Sequence, residues 1–306
     1  MADAPKCLYT ELCGVGMNTP VIGASGTYGF GYEYENIVDM AWVGAVSGKG
    51  LTLEGKEGNE GERLFETPSG LINSIGLQNP GVRHFIEHEL PAMRALGPAV
   101  MANLGGSTVE TYEEGARLLD AADVDFIELN ISCPNVKAGG IAYGVKAESA
   151  REVVSRVRKC TKKPLIVKLS PNAENITEMA LACEEAGADG LSLVNTFQAM
   201  AIDIEKRRPV FDNVFAGLSG PAIRPIALRM VYQVCKAVKV PVVGLGGIAT
   251  AEDALAFLMA GAAAVQVGTA NFANPRACED IARGMAAWMD AHGVKSLAEI
   301  RGAALV

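Results

Sequence analysis

The stretch Glu184-Glu185-Ala186-Gly187-Ala188-Asp189-Gly190-Leu191-Ser192-Leu193-Val194-Asn195-Thr196 decides the fold. It reads as a helix end, a glycine where a left-handed C′ residue belongs, and a short apolar strand that stops at two polar side chains. Glu178 to Ala186 carries the helical pattern that Gly187 ends. The same order of signals returns at Met259-Ala260-Gly261-Ala262-Ala263-Ala264. Each is the αβ half of a repeated βα unit. Working outward, eight apolar runs predict strands: Val21–Ser25, Ala45–Gly50, Ala99–Gly105, Phe126–Cys133, Leu165–Ser170, Gly190–Thr196, Val242–Gly247 and Ala264–Thr269. They are continuous rather than alternating, as expected of strands buried on both faces of a parallel sheet. Helix starts fall between them at Thr108-Val109-Glu110-Thr111, with Leu118 and Leu119 on the buried side, and at Thr250-Ala251-Glu252-Asp253, with Leu255, Phe257 and Leu258 following. Eight evenly spaced βα units predict an α/β fold, one (β/α)₈ TIM barrel over residues 1–306, with its active site at the C-terminal strand ends. A doubly wound sheet is the alternative. Long loops follow strands two (residues 51–98), four (with Gly139 and Gly140) and six (197–218), and loops of that length in compact domains are usually lids or binding loops.

Composition narrows the functional classes. The chain has 306 residues, 49% hydrophobic and 20% charged, with 34 glycines, which excludes a disordered or fibrous protein. The net charge of −8 argues against broad phosphate-backbone binding, which needs a basic stripe, so no nucleic-acid partner is expected. The one basic cluster, Lys206-Arg207-Arg208, reads as a solvated loop. No signal peptide precedes the first strand and no run reaches the ~18 apolar residues of a membrane span, so the chain reads as a soluble, cytoplasmic protein. Seven scattered cysteines without a Cys-x-x-Cys pair give neither a disulfide framework nor an iron–sulfur or zinc set. His84-Phe85-Ile86-Glu87-His88 matches a zinc pattern, but with no third ligand nearby it reads as two histidines on an amphipathic helix, and no metal is expected.

Polar side chains gather at the predicted strand ends: Ser25, Lys49, Asn103, Asn130, Ser132, Cys133, Lys168, Asn195 and Thr196. In a barrel they converge on one mouth. Gly244-Leu245-Gly246-Gly247-Ile248 and Gly268-Thr269, after strands seven and eight, offer bare backbone amides before helix starts and predict a phosphate cradle. Cys133 differs from the other cysteines because Pro134 stops a helix after it, leaving the thiol in a loop over the mouth. Nearby lysines or dipoles would favour its thiolate for proton abstraction or nucleophilic attack.

Asn130-Ile131-Ser132-Cys133-Pro134-Asn135-Val136-Lys137, Asn73-Ser74-Ile75-Gly76-Leu77-Gln78-Asn79-Pro80-Gly81, Val194-Asn195-Thr196 and Gly217-Leu218-Ser219-Gly220 resemble the class 1 dihydroorotate dehydrogenases. The stretches Gly76 to Gly81 and Asn135-Val136-Lys137 look most like the class 1B catalytic subunit. The resemblance implies one FMN per chain and oxidation of dihydroorotate to orotate in de novo pyrimidine (UMP) biosynthesis. It implies Cys133 as the base that takes the C5 proton while hydride passes from C6 to flavin N5. It puts the flavin against Ser25, Lys49, Gly50, Asn103, Asn130, Lys168 and Val194, and its phosphate at Gly220, Gly246, Gly247, Gly268 and Thr269. Lys49, Asn73, Asn130, Asn195 and Thr196 would hold the pyrimidine, with Ser74, Ile75, Gly76 and Leu77 as a backbone wall. The chain lacks a dinucleotide fingerprint and an iron–sulfur ligand set. The resemblance therefore implies a partner carrying FAD and a [2Fe–2S] cluster that relays electrons to NAD⁺, in a heterotetramer around a catalytic homodimer. The alternatives are a class 1A fumarate-dependent enzyme, a dihydropyrimidine dehydrogenase-like flavoenzyme, a non-redox phosphate-binding barrel and a non-catalytic scaffold. One departure stands out: Gly58-Asn59-Glu60-Gly61-Glu62-Arg63 replaces the family's Gly-Asn-Pro-x-Pro-Arg text.

Overall fold

All eight apolar runs become strands of a closed parallel barrel. They are β1 (Val21–Gly23), β2 (Ala45–Ser47), β3 (Ala99–Leu104), β4 (Phe126–Asn130), β5 (Leu165–Lys168), β6 (Gly190–Leu193), β7 (Val242–Leu245) and β8 (Ala264–Val267), each paired with the next and β8 with β1. The computed structural model describes residues 4–132 and 143–306, so Cys133 and most of the loop after β4 lie outside the described residues. Every ladder ends one to three residues before the predicted boundary, because the polar residues at the strand ends leave the sheet and turn across the mouth. Leu51 rejoins it, through a bridge to Leu104.

The helices follow their start signals. Thr108 caps α2 (Val109–Asp120) and Thr250 caps α6 (Ala251–Met259), each in a reciprocal capping box. Asn175 caps α4 (Ile176–Glu185), two residues before the sequence pattern begins, and Gly187 ends it at φ +100°. The other longer helices are α1 (Leu90–Ala95), α3 (Ala147–Arg158), α5 (Arg224–Ala237) and α7 (Ala277–Ala291). The first βα unit departs from the expectation. Only short 3₁₀ turns, Tyr32–Tyr34 and Met40–Trp42, follow β1, because Gly26, Gly29 and Gly31 all hold positive φ. The C-terminal helix α7 packs against β1 and the second of these turns instead.

Inside the barrel the two-residue period of a strand stacks side chains in tiers. Ile22, Ala45, Met101, Phe126, Ile166, Val243 and Ala264 form an apolar tier with Leu12 and Met17, which come from an N-terminal hairpin (Thr10–Leu12 with Val15–Met17). Two residues further along their strands come Ser47, Asn103, Glu128, Lys168 and Gln266, all buried. A further two residues reach Lys49, Asn130, Ser170, Gly247 and Gly268. The tiers run from apolar, through polar, to the predicted site.

The long loops after β2 and β6 do not stay irregular. Leu64–Thr67, Gly70–Asn73, Ala216–Ser219 and Phe197–Ala199 form one antiparallel sheet, with Gly217 opposite Asn73 and Leu218 opposite Ile72. Its small core is Ile72, Ala201 and Phe211. Lys206 and its basic neighbours sit on a hairpin beside this sheet, where Lys206 pairs with Asp203 at 3.1 Å. Among the described residues no helix is long and apolar enough to cross a membrane.

Candidate active site

The polar tier centres on Glu128, which is fully buried on β4. Its Oε2 accepts from Asn103 Nδ2 at 2.6 Å and Ser47 Oγ at 3.0 Å. Its Oε1 accepts from Gln266 Nε2 at 2.7 Å and Ser192 Oγ at 2.8 Å. Lys168 Nζ stands 3.8 Å from Oε2. Burial by itself would raise the Glu128 pKa, but the Lys168 charge and the bonds from Gln266, Ser192 and Asn103 prevail and hold it below the ordinary carboxylate value. Lys168, 4% exposed, also donates to Ser25 Oγ at 3.1 Å and Gln266 Oε1 at 3.5 Å.

A chain of amides climbs from this hub to the rim. Asn130 Nδ2 donates to Asn103 Oδ1 at 3.4 Å, and Ser132 Oγ donates to Asn130 Oδ1 at 2.6 Å. Asn195 Nδ2 donates to Ser132 Oγ, and Thr196 N–H donates to Asn195 Oδ1 at 2.8 Å. Ser132 immediately precedes Cys133. Asn172 Nδ2 supports the far end through the Thr196 carbonyl at 3.4 Å.

The rim is built by the antiparallel sheet and its flanks. Asn73 Nδ2 donates to the Gly217 carbonyl at 3.3 Å. A Cβ on Gly217 would fall 2.7 Å from Thr196 Cβ, so that strand presses bare backbone against Thr196. Leu77 reaches within 3.2 Å of a Cβ built on Gly50, which in turn would stand 3.0 Å from Asn103 Oδ1. In the loop where Glu60 and Glu62 stand at the proline positions, Asn59 ties the backbone down: its Nδ2 donates to the Ser74 carbonyl and Oγ at 3.1 and 3.0 Å, and its N–H donates to Ile75 O at 3.0 Å. Arg63 closes that loop with its carbonyl, which accepts from Ser74 N–H at 2.9 Å. Lys49 is only partly buried and donates to no protein acceptor among the described residues. Burial, then the neighbouring Arg63 charge, push its pKa down, with Glu33 opposing.

At the ends of β7 and β8 the glycines gather. Gly246 and Gly247 hold φ +127° and +76°, and Gly220 holds +96°. A Cβ on Gly247 would lie 2.7 Å from Gly220 O, and one on Gly220 would lie 2.8 Å from Gly70 Cα. Thr269 Oγ1 donates to Ser219 Oγ at 2.8 Å, tying the β8 end to the antiparallel sheet. The N–H groups of Gly246, Gly247, Gly268 and Thr269 have no protein acceptor among the described residues. Val194 flanks this corner, 3.4 Å from a Cβ built on Gly246. Bare backbone with open N–H donors is the chemistry that a phosphate monoester requires.

The structure thus brings the expected site residues to one mouth, Cys133 excepted because it lies outside the described residues. Sequence reasoning missed Glu128, Ser47, Ser192 and Gln266 below the site, Ser219 beside Thr269, and Asn59 and Asn172 at the rim. Four of the other cysteines fit inert roles: burial pushes the thiols of Cys13, Cys183, Cys235 and Cys278 up to about 12. His84 and His88 lie on an exposed helical turn beside Glu89 and Glu87.

The dihydroorotate dehydrogenase family model matches residues 7–289. A protein of Petrotoga mobilis is 56% identical over 292 residues, 95% of this chain and 97% of that one. One of Geotalea uraniireducens is 53% identical over 97% of both chains, and one of Alkaliphilus metalliredigens 51% identical over 96% of this chain and 98% of its own. All three bear the name dihydroorotate dehydrogenase B (NAD(+)), catalytic subunit. With its tiered barrel, its polar mouth and this full-length match, the chain belongs to the dihydroorotate dehydrogenase family.

Proposed function

We propose that the chain is the FMN-containing catalytic subunit of an NAD⁺-linked dihydroorotate dehydrogenase that oxidises dihydroorotate to orotate in pyrimidine biosynthesis. The observation that carries this reading is the match, over nearly the whole length of both chains, to relatives bearing that name. The residues present fit the cofactor. The cradle of Gly220, Gly246, Gly247, Gly268 and Thr269 suits its phosphate, because the N–H groups of Gly246, Gly247, Gly268 and Thr269 have no protein acceptor among the described residues. Ser25, Lys49, Gly50, Asn103, Asn130, Lys168 and Val194 would line the flavin ring. FMN supplies the two-electron acceptor that no protein side chain offers.

The chain's own residues do the rest. Lys49, a cation without a protein partner among the described residues, takes the substrate carboxylate. Asn73, Asn130, Asn195 and Thr196 present donors and acceptors to the ring amides, with Ser74, Ile75, Gly76 and Leu77 as the wall. Lys168 would direct a positive charge toward the flavin site, which is electrostatic preorganisation. Cys133 is the base for the C5 proton, and its neighbour Ser132 is anchored by Asn130 and Asn195. Residues 1–306 act as one FMN-binding barrel domain in the cytoplasm. A partner subunit with FAD and a [2Fe–2S] cluster passes electrons to NAD⁺, in a heterotetramer around a catalytic dimer. The deciding experiment is an absorption spectrum of the purified chain before and after anaerobic dihydroorotate. A flavin band bleached by dihydroorotate but not by dihydrouracil supports the reading, and a colourless chain refutes it.

A further inference from the structure

Glu128 is the acceptor that both amides of the polar tier obey. It has no proton to offer, so Asn103 must turn its Nδ2 downward and Gln266 must turn its Nε2 toward it. Asn103 Oδ1 is thereby left facing up, where it accepts from Asn130, whose own Oδ1 accepts from Ser132. Gln266 Oε1 is left facing Lys168 Nζ. The bond directions therefore run one way from β4 to Asn195. We propose that Glu128 is a positioning residue that fixes the donor–acceptor polarity of the whole cofactor- and substrate-facing layer, acting through Asn103, Gln266 and Lys168. It is itself fully buried, two residues below Asn130 on the same strand. Its role rests on the proposed flavin site, but the bond directions do not.

The glutamine isostere exposes the logic. Glu128→Gln places an NH₂ at one of the two oxygen positions. At the Oε2 position it meets Asn103 Nδ2, and at the Oε1 position it meets Gln266 Nε2. The serines can rotate to accept, but an amide must flip. A flipped Asn103 turns its NH₂ against that of Asn130, and a flipped Gln266 turns its NH₂ against the Lys168 ammonium. The double variant E128Q/Q266E removes the conflict. The amide introduced on β4 then donates to the carboxylate introduced on β8 and still accepts from Asn103, while that carboxylate faces Lys168.

The test measures FMN affinity of the deflavinated chain, the midpoint potential of the bound flavin and the thermal midpoint of E128Q, Q266E and the double variant. E128Q alone should weaken FMN binding about tenfold or more, the cost of one mismatched buried pair. Q266E alone, which sets two carboxylates face to face, should fare no better. The double variant should recover FMN affinity to within about threefold, bring the potential back toward wild type, and melt above both singles. A single variant that fails to fold while the double folds supports the proposal equally. E128Q binding FMN like wild type, or a double variant that fails to fold or melts no higher than the singles, overturns it. A wild-type chain without flavin would refute the site reading alone, since the ordering of the melting points still tests the polarity.

Discussion

Gly247→Ala is the sharpest probe of the glycine corner. Gly247 sits at φ +76°, where an alanine costs roughly 1 kcal/mol in backbone strain. The added Cβ would stand 2.7 Å from Gly220 O and from Arg224 Cβ, inside van der Waals contact on both sides. Neither neighbour is a free side-chain end. Gly220 O accepts from Ile223 N–H, and Arg224 is ion-paired with Asp253. Forcing such a site apart adds about 1–3 kcal/mol. The cheapest relief is to open the corner, so the cost falls on whatever binds there. FMN affinity should drop by about 30-fold or more, since about 1.4 kcal/mol is tenfold. The assay is titration of FMN into the deflavinated variant, followed by quenching of flavin fluorescence. Gly293→Ala is the control: it carries the same kind of strain at φ +69°, with nothing within 4 Å of its Cβ. It should leave FMN affinity unchanged. A Gly247→Ala variant that binds FMN as tightly as wild type would refute the phosphate assignment.

Cys133→Ser should retain FMN yet slow bleaching by dihydroorotate by orders of magnitude near neutral pH, because a hydroxyl is a far weaker acid than a thiol; stopped-flow traces matching wild type would remove Cys133 as the base. Lys168→Met should destabilise the chain by about 3–5 kcal/mol, because it strands the Glu128 charge in the barrel; urea unfolding reads this, and a loss below about 1 kcal/mol would deny the ion pair its role. The depressed Glu128 pKa contributes stability that is fully present above the ordinary carboxyl value of about 4.3 and is lost as pH falls through the lower folded-state value. Glu128→Gln should therefore flatten the acid limb of stability against pH, and an unchanged slope would contradict that. The chain alone should pass electrons from dihydroorotate to artificial acceptors but scarcely to NAD⁺; efficient transfer to fumarate would instead mark the fumarate-dependent type.

Barrel strands were legible because parallel strands buried on both faces read as unbroken apolar runs. The same property hid Glu128. In Phe126-Ile127-Glu128-Leu129-Asn130 a lone acid inside an apolar strand, two residues from an asparagine at the mouth, was the available signal. Counting in twos from each strand end would have found Ser47 and Gln266 on the same inner tier as Asn103. The glycine corner was legible from Gly246-Gly247 and Gly268-Thr269, whose bare backbone needs no partner to be recognised. Ser219 was not, because only the pairing of Ala216–Ser219 with Gly70–Asn73 carries it to Thr269. That pairing joins segments distant along the chain, and no local pattern encodes it. The missing helix after β1 could have been read from Gly26, Gly29 and Gly31.

The antiparallel sheet over the mouth changes what counts as a module in this protein. Leu64–Thr67 and Gly70–Asn73 come from one insertion and Phe197–Ala199 and Ala216–Ser219 from another, yet their hydrogen bonds and the Ile72, Ala201 and Phe211 core belong to both. Neither insertion can be shortened, grafted or diversified alone without leaving strand edges unpaired and that core open. A chimera exchanging only residues 51–81 for those of a distant barrel should lose the rim on both sides. Exchange of the two insertions together, as one interlocked cassette on an unchanged barrel, is the route by which such a mouth can acquire a new substrate.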